Sequence, residues 1–382
     1  METRAASATG RVEFLDLVRG VFILIMVEGH TLRALLDPAT KASAAFQYHE
    51  LIHNLPGPAF LFASGAAFVY STRPQWDSYR RWGPKLWRRL SRWLAVLVIG
   101  YGLQLTHATL RRTLSETTPE QFAFLVSLNI LQCICLSLIL LQVGALAVPE
   151  MRWFFRIAVL AAIVIAFATP FAWDAGREWP VWLGSLVSGR TRSIFPLFPY
   201  TGFALAGAAW GYQHALARER NEEAAFLRRS ARFCVWLCLG SVAAALAPLP
   251  QVYSDFWYTS PLFFFLRVGI LGLLTIGARH AETRLVPKLR ELLAIIGKES
   301  LLIYVAHLLV LYGSAFNPDA NLAKVVGSPL PLAEGLLVWL IFTAAMVSLG
   351  VWWNWWKRGR EWEVGALKWT LAGYFAYRFL AN

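Results

Sequence analysis

The sequence predicts an all-α integral membrane protein of about ten transmembrane helices, eleven if the tail is counted, with both termini cytoplasmic. Three observations predict it. Of 382 residues, 57% are hydrophobic and only 15% charged, against about 45–50% and about 25% in soluble domains. A mean hydropathy of +0.48 over that length cannot be enclosed in one water-facing core. The apolar residues also come in long runs, with the basic residues gathered between alternate runs.

A span needs about 20 mostly apolar residues. Such runs cover 14–34, 55–72, 93–110, 122–147, 152–173, 193–213, 232–250, 259–278, 294–315 and 331–352. The N-terminal stretch Met1 to Arg11 is short and polar, and no small-residue cleavage site follows the first run, so that run reads as a retained signal anchor. After the last run, Trp352-Trp353-Asn354-Trp355-Trp356-Lys357-Arg358 makes an aromatic and basic belt of the kind found at a membrane–water boundary. Residues 353–382 are then an interfacial tail, with a short helix from Trp362 to Phe379. The whole of 1–382 reads as one membrane domain, without internal repeat or low-complexity tract.

The net charge of +13 belongs to topology. With the N-terminus inside, cytoplasmic segments hold 26 of the 36 Lys and Arg, including Arg4 and Arg11, and outer loops hold 8. Arg19 and Arg267 lie within runs. The membrane reading leaves no role for nucleic acid, which a pI near 9.9 would otherwise invite. Cys133, Cys135, Cys234 and Cys238 all sit in apolar runs without metal-type spacing and read as packing thiols. The small-residue faces Ser64-Gly65-Ala66-Ala67 and Gly207-Ala208-Ala209-Trp210-Gly211 read as helix–helix contacts.

Ionisable residues inside spans cost about 2.5–3.5 kcal/mol each on insertion scales and are functional candidates by default. The first run carries Asp16, Arg19, Glu28 and His30. From Arg19 to His30 an α-helix turns to within about 20° of the same face and rises about 16 Å. Those two residues therefore line one stripe, Arg19 towards the cytoplasm and His30 towards the outer end. Asp16 can pair with Arg19 at i,i+3, whereas Glu28 points nearly opposite His30. The plainer alternatives are an interfacial ion pair that sets helix depth and a packing histidine at the boundary.

The outer loop adds His49, Glu50, His53 and Asn54. The i,i+4 pair His49 and His53 suits acid–base or substrate contact; no metal is expected, although His49-Glu50-Leu51-Ile52-His53 has the His-Glu-x-x-His spacing found on metal-binding helices. Leu55-Pro56-Gly57-Pro58 then breaks one helix and starts the next. In the ninth run Ser300, Tyr304 and His307 share a face, following Gly297-Lys298-Glu299. A Tyr304–His307 polar contact and a direct catalytic role are both open there. Arg192, before the Pro196 and Pro199 kink, and the pair Gln104 and His107 are further candidates. Arg88, Arg89 and Arg92 suit CoA phosphates or simply obey the positive-inside rule.

Phe14-Leu15-Asp16-Leu17-Val18-Arg19-Gly20 with the later His30 resembles the opening of the transmembrane acyltransferases. That superfamily includes the acyltransferase type 3 proteins and the heparan-alpha-glucosaminide N-acetyltransferase family. Pro58-Ala59-Phe60-Leu61-Phe62-Ala63-Ser64-Gly65, Phe195-Pro196-Leu197-Phe198-Pro199-Tyr200-Thr201-Gly202 and the Lys298–His307 segment are similar to later family patterns and favour the heparan-alpha-glucosaminide N-acetyltransferase-like branch. The resemblance implies transfer of an acyl group, typically acetyl, from cytoplasmic acyl-CoA to an extracytoplasmic acceptor such as a sugar hydroxyl or amine of a glycan. The lysosomal member has asparagine where His30 stands and its essential histidine in the following loop, so His30, His49 and His53 share the catalytic expectation here.

The combined reading has His30, His53 and His49 as catalytic residues. Arg19, Asp16, Glu28, Asn54, Arg192, Lys298, Ser300, Tyr304 and His307 contact donor or acceptor. Acetyl-CoA is the donor, no metal is used, and the partners are membrane lipids, a glycan acceptor and further copies of the chain in an oligomer. The setting is a bacterial-type inner membrane. The competing class is a transporter or channel for a small solute, which also uses intramembrane charge but favours discontinuous helices in repeated halves.

Overall fold

The computed structural model describes residues 12–248, 250–253 and 255–381; Arg4 and Arg11 of the first cytoplasmic segment lie outside them. The described residues are helical, with isolated bridges and no strand. The principal helices are α1 (Glu13–Leu35), α2 (Ala44–Ile52), α3 (Pro56–Thr72), α4 (Pro84–Gly102), α5 (Ile130–Ala147), α6 (Met151–Glu178) and α7 (Leu197–Glu219). They continue as α8 (Glu223–Ala245), α9 (Pro261–Arg284), α10 (Pro287–Lys298), α11 (Ser300–Tyr312), α12 (Leu332–Trp356) and α13 (Glu361–Leu380). Each of the ten apolar runs overlaps a helix of this set. By length and composition, α5, α6, α9 and α12 are sufficient to cross a membrane, and the bent pair α10–α11 makes a fifth. The chain is an integral membrane protein.

Several runs differ from their expected bounds: the seventh starts early, at Glu223, and the ninth is split at Glu299, while hydrogen bonds account for the third and fourth. The third shifts back to 84–102, and Gln104, just beyond it, is buried with its Nε2 donating to the Phe124 carbonyl at 2.7 Å. The fourth is broken at 127–129. There the Leu128 N–H donates to Ser193 Oγ at 2.8 Å, and the Leu128 carbonyl accepts from the Ile194 and Phe195 N–H groups. Those backbone groups serve a neighbouring loop, so the helix cannot run through them.

The chain divides into two compact units. One comprises Met1–Val18, Gly57–Gly100 and Val126–Arg284. Its helices meet through the small residues that the sequence marked. A methyl at Gly65 would overlap the Ala204 carbonyl, and one at Gly207 would overlap that of Phe62, so α3 and α7 touch backbone to backbone. Gly269 and Gly272 of α9 lie against the sulfurs of Cys238 and Cys234 on α8. All four cysteines are free and pack as small apolar groups.

The other unit comprises Arg19–Pro56, Tyr101–Leu125 and Leu285–Asn382. Gly20 of α1 lies so close to the Leu293 carbonyl of α10 that a methyl would overlap it. The α10–α11 pair bends by 68° at Glu299, which is 5% exposed. Its carboxylate accepts from Asn354 Nδ2 at 2.7 Å and from the Lys357 ammonium, which ties the bend to the end of α12. Gly313, with φ +79, ends α11 in a conformation other residues resist. The tail helix is present as α13, and its residues are mostly exposed.

Candidate active site

α1 is unbroken from Glu13 to Leu35, so the Arg19–His30 stripe stands as helix geometry requires. The short helix α2 starts where Ser43 caps it, its Oγ accepting from the Phe46 N–H at 3.3 Å, and it ends at His53. Arg33 of α1 pairs with Glu50 of α2. The i,i+4 spacing then delivers both loop histidines to one carboxylate. His49 Nε2 lies 2.5 Å from Glu28 Oε1, and His53 Nε2 lies 2.7 Å from Glu28 Oε2. Gly29 makes the approach possible, because a methyl there would overlap the His53 ring.

The partners of the ring nitrogens separate the three histidines. His53 Nδ1 lies 3.1 Å from the His49 carbonyl and donates to it, since a carbonyl offers only lone pairs. Its Nε2 faces a carboxylate, so the pair is best satisfied when His53 is an imidazolium. Burial works against that charge, but the hydrogen bond and charge of Glu28 outweigh it and hold the His53 pKa above its ordinary value. His49 has Nε2 on Glu28, while its Nδ1 is buried without a hydrogen bond, 4.0 Å from Glu50 Oε1. The three donor atoms lie within 4.8 Å of one another. Two imidazoles and a carboxylate that close together could also hold one metal ion.

His30 turns to the other side of α1. Its Nδ1 lies 2.9 Å from Nε2 of His307 on α11, and the rings stack with centroids 5.2 Å apart. His307 is fully buried, and its Nδ1 lies 3.0 Å from the Ile303 carbonyl. The Tyr312 hydroxyl donates to the His30 carbonyl at 3.3 Å. Among the described residues His30 Nε2 has no hydrogen-bond partner, and the residue is not fully buried.

The remaining candidates divide. Tyr304 meets the His307 ring edge-on at 5.4 Å, while the hydrogen bonds of His307 go to His30 and Ile303. Ser300 starts α11, and Lys298 is exposed beside the buried Glu299. Asn54 is exposed and donates to the Glu50 carbonyl at 3.4 Å, finishing α2. Asp16 is buried and Arg19 is partly exposed. Arg192 belongs to the first unit, in the turn before α7, with φ +80.

Arg267, Arg89 and His214 are among the buried polar groups of the first unit. Arg267 is enclosed by the rings of Phe263, Phe203 and Tyr200, at 4.0, 5.2 and 5.9 Å from their centroids. Arg89 is not available to phosphate: it is buried over the Tyr79 ring and donates to Thr72, Gln142 and Ser71, which leaves Arg88 and Arg92 exposed. Sequence reasoning missed His214, which is fully buried, stacked on Trp210, and bonded to Tyr70 and, at 3.0 Å, to Glu223. Arg279 also binds Glu223 at 2.8 Å. Burial opposes ionisation of Glu223, but Arg279 holds its carboxyl below the usual value. A lone histidine followed nine positions later by an acidic residue in a basic segment was the available signal.

The fold and site define a class: a polytopic helical membrane protein with a histidine–carboxylate cluster and a histidine pair at one end of its first helix. The chain belongs to the family described as heparan-alpha-glucosaminide N-acetyltransferase, catalytic, whose pattern matches residues 11–246. Membership implies an acetyltransferase. The match takes in Arg19, Glu28, His30, His49 and His53 and stops before His307. None of the curated proteins compared with the chain matches it.

Proposed function

We propose that the chain moves an acetyl group from cytoplasmic acetyl-CoA to a sugar hydroxyl or amine of an extracytoplasmic glycan, with His30 as general base. In this reading it crosses a bacterial inner membrane about ten times, and both termini are cytoplasmic. The observation that carries the assignment is the free Nε2 of His30. A general base must offer a lone pair within reach of the proton it takes, and both nitrogens of His53 are already engaged.

The acceptor hydroxyl or amine gives its proton to His30 Nε2 as its oxygen or nitrogen attacks the thioester carbonyl. A bond forms between acceptor and acyl carbon, and the tetrahedral intermediate then collapses with loss of the carbon–sulfur bond. The proton passes from His30 to the departing CoA thiolate, so the base is regenerated. The His53 imidazolium, held by Glu28, adds fixed positive charge at the outer end of α1, and preorganised charge of that kind favours a developing oxyanion. Arg19 holds the donor from the cytoplasmic half of α1, where a guanidinium suits its phosphates.

In vesicles supplied with labelled acetyl-CoA and a glycan acceptor, His30→Ala should lower transfer by about 100-fold or more. Transfer at the wild-type rate would remove His30 from the mechanism. His53→Gln should lower it less, because a binding contact and a positive charge are lost and the base remains.

A further inference from the structure

We infer that His307 is a positioning residue that sets the tautomer of His30, so that the lone pair of the proposed base stands on Nε2. The direction of each hydrogen bond requires it. The Ile303 carbonyl can only accept, so the His307 nitrogen facing it at 3.0 Å, Nδ1, carries hydrogen. A neutral imidazole has one N–H, which leaves the His307 Nε2 as an acceptor. The group 2.9 Å from that acceptor is His30 Nδ1, which must therefore be the donor. The only ring nitrogen left with a lone pair is His30 Nε2. It is also the nitrogen without a hydrogen-bond partner among the described residues.

The chain runs Ile303 carbonyl, His307, His30, and its order cannot be reversed without turning an acceptor towards the carbonyl. Its anchor is helical backbone in α11, and His307 is fully buried, so neither the carbonyl nor the second ring is free to reorient. The pair also answers what happens when the base takes its proton. His30 becomes an imidazolium, and its Nδ1–H bond to His307 Nε2 becomes charge-assisted and stronger. The arrangement is that of a carboxylate behind a catalytic imidazole, with a neutral ring in the carboxylate's place. His307 touches no substrate in this scheme and acts only through His30. It also lies beyond the residues that the family pattern covers.

The inference rests on His30 being the base, and the test keeps the two claims apart. Nitrogen-15 spectra of histidine-labelled protein in lipid, with signals assigned by their loss in His30→Ala and His307→Ala, read the tautomers directly. The wild type should show protonated Nδ1 and unprotonated Nε2 on both rings. His307→Gln, whose side-chain oxygen can accept from His30, should keep the His30 signature and a rate within about tenfold of wild type. His307→Leu should lose the signature and lower kcat by about 100-fold, with KM changed by less than about threefold. An Nε2-protonated His30 in the wild type, or wild-type kcat in His307→Leu, would overturn the inference. If His307→Leu does not fold, the wild-type spectrum and His307→Gln decide the matter. If the wild type transfers no acetyl group to any acceptor, the proposed function fails, and the spectra still report whether His307 orients His30.

Discussion

His53 couples the candidate site to pH. Its folded-state pKa is raised because Glu28 overcomes the cost of burial; Glu28 faces it from α1, and His49 and Glu50 face it from α2. A raised value means that the pair's contribution to stability is complete below the unfolded-state value, about 6.5. It is lost as pH rises through the folded-state value. Thermal unfolding of solubilised wild type and His53→Gln between about pH 6 and 9 should therefore show the wild-type advantage shrinking with pH; an advantage that grows would contradict the assignment. Gly29→Ala should have a local effect. It displaces the His53 ring from Glu28, so transfer should fall by about tenfold while the helical circular-dichroism signal is unchanged. The candidate histidines could be picked out from residue types and from the eleven-residue spacing of Arg19 and His30. Which histidine keeps a free nitrogen depends on partners as remote as His307, and no local pattern encodes that.

At the level of helices, close approach and buried charge decide stability. Gly207→Ala drives a methyl into the Phe62 backbone and should destabilise by about 1–3 kcal/mol. Gly240 on α8 has nothing within 4 Å of a built methyl, so Gly240→Ala should be neutral or stabilise by up to about 1 kcal/mol. A comparison of the two melting temperatures tests both statements, and equal shifts would refute the backbone contact between α3 and α7. At the α10–α11 bend, Lys357→Met leaves the Glu299 carboxylate with Asn354 as its remaining partner from α12. Because Lys357 is itself 36% exposed, the expected loss is about 2 kcal/mol, below that of a fully buried pair. The small-residue faces were legible because only Gly and Ala permit such approach. The break at 127–129 was not legible, because an apolar run carries no mark of a loop that will claim its backbone hydrogen bonds.

For the whole molecule the leading prediction is sidedness. In a variant without the four native cysteines, Tyr48→Cys should react with an impermeant maleimide in intact cells. Trp82→Cys and Trp362→Cys, which replace similarly exposed residues, should react only after permeabilisation. The reverse pattern would overturn the proposed orientation. The sequence by itself determined the helical membrane class, the apolar runs and the distribution of positive charge. These depend on hydropathy and charge counted along the chain, and a bilayer selects for both without reference to tertiary contacts. It also singled out Arg19 and Arg267 as charges that topology does not require. Only the tertiary structure decided that Arg267 sits among aromatic rings, that Arg89 is committed to Tyr79, Thr72, Gln142 and Ser71, and that Glu28 joins two loop histidines. Only the tertiary structure set His307 behind His30. The physical reason is the same in each case: such contacts have a direction and a short reach, about 3 Å for a hydrogen bond, and the partners come from distant segments, 277 positions apart for His30 and His307.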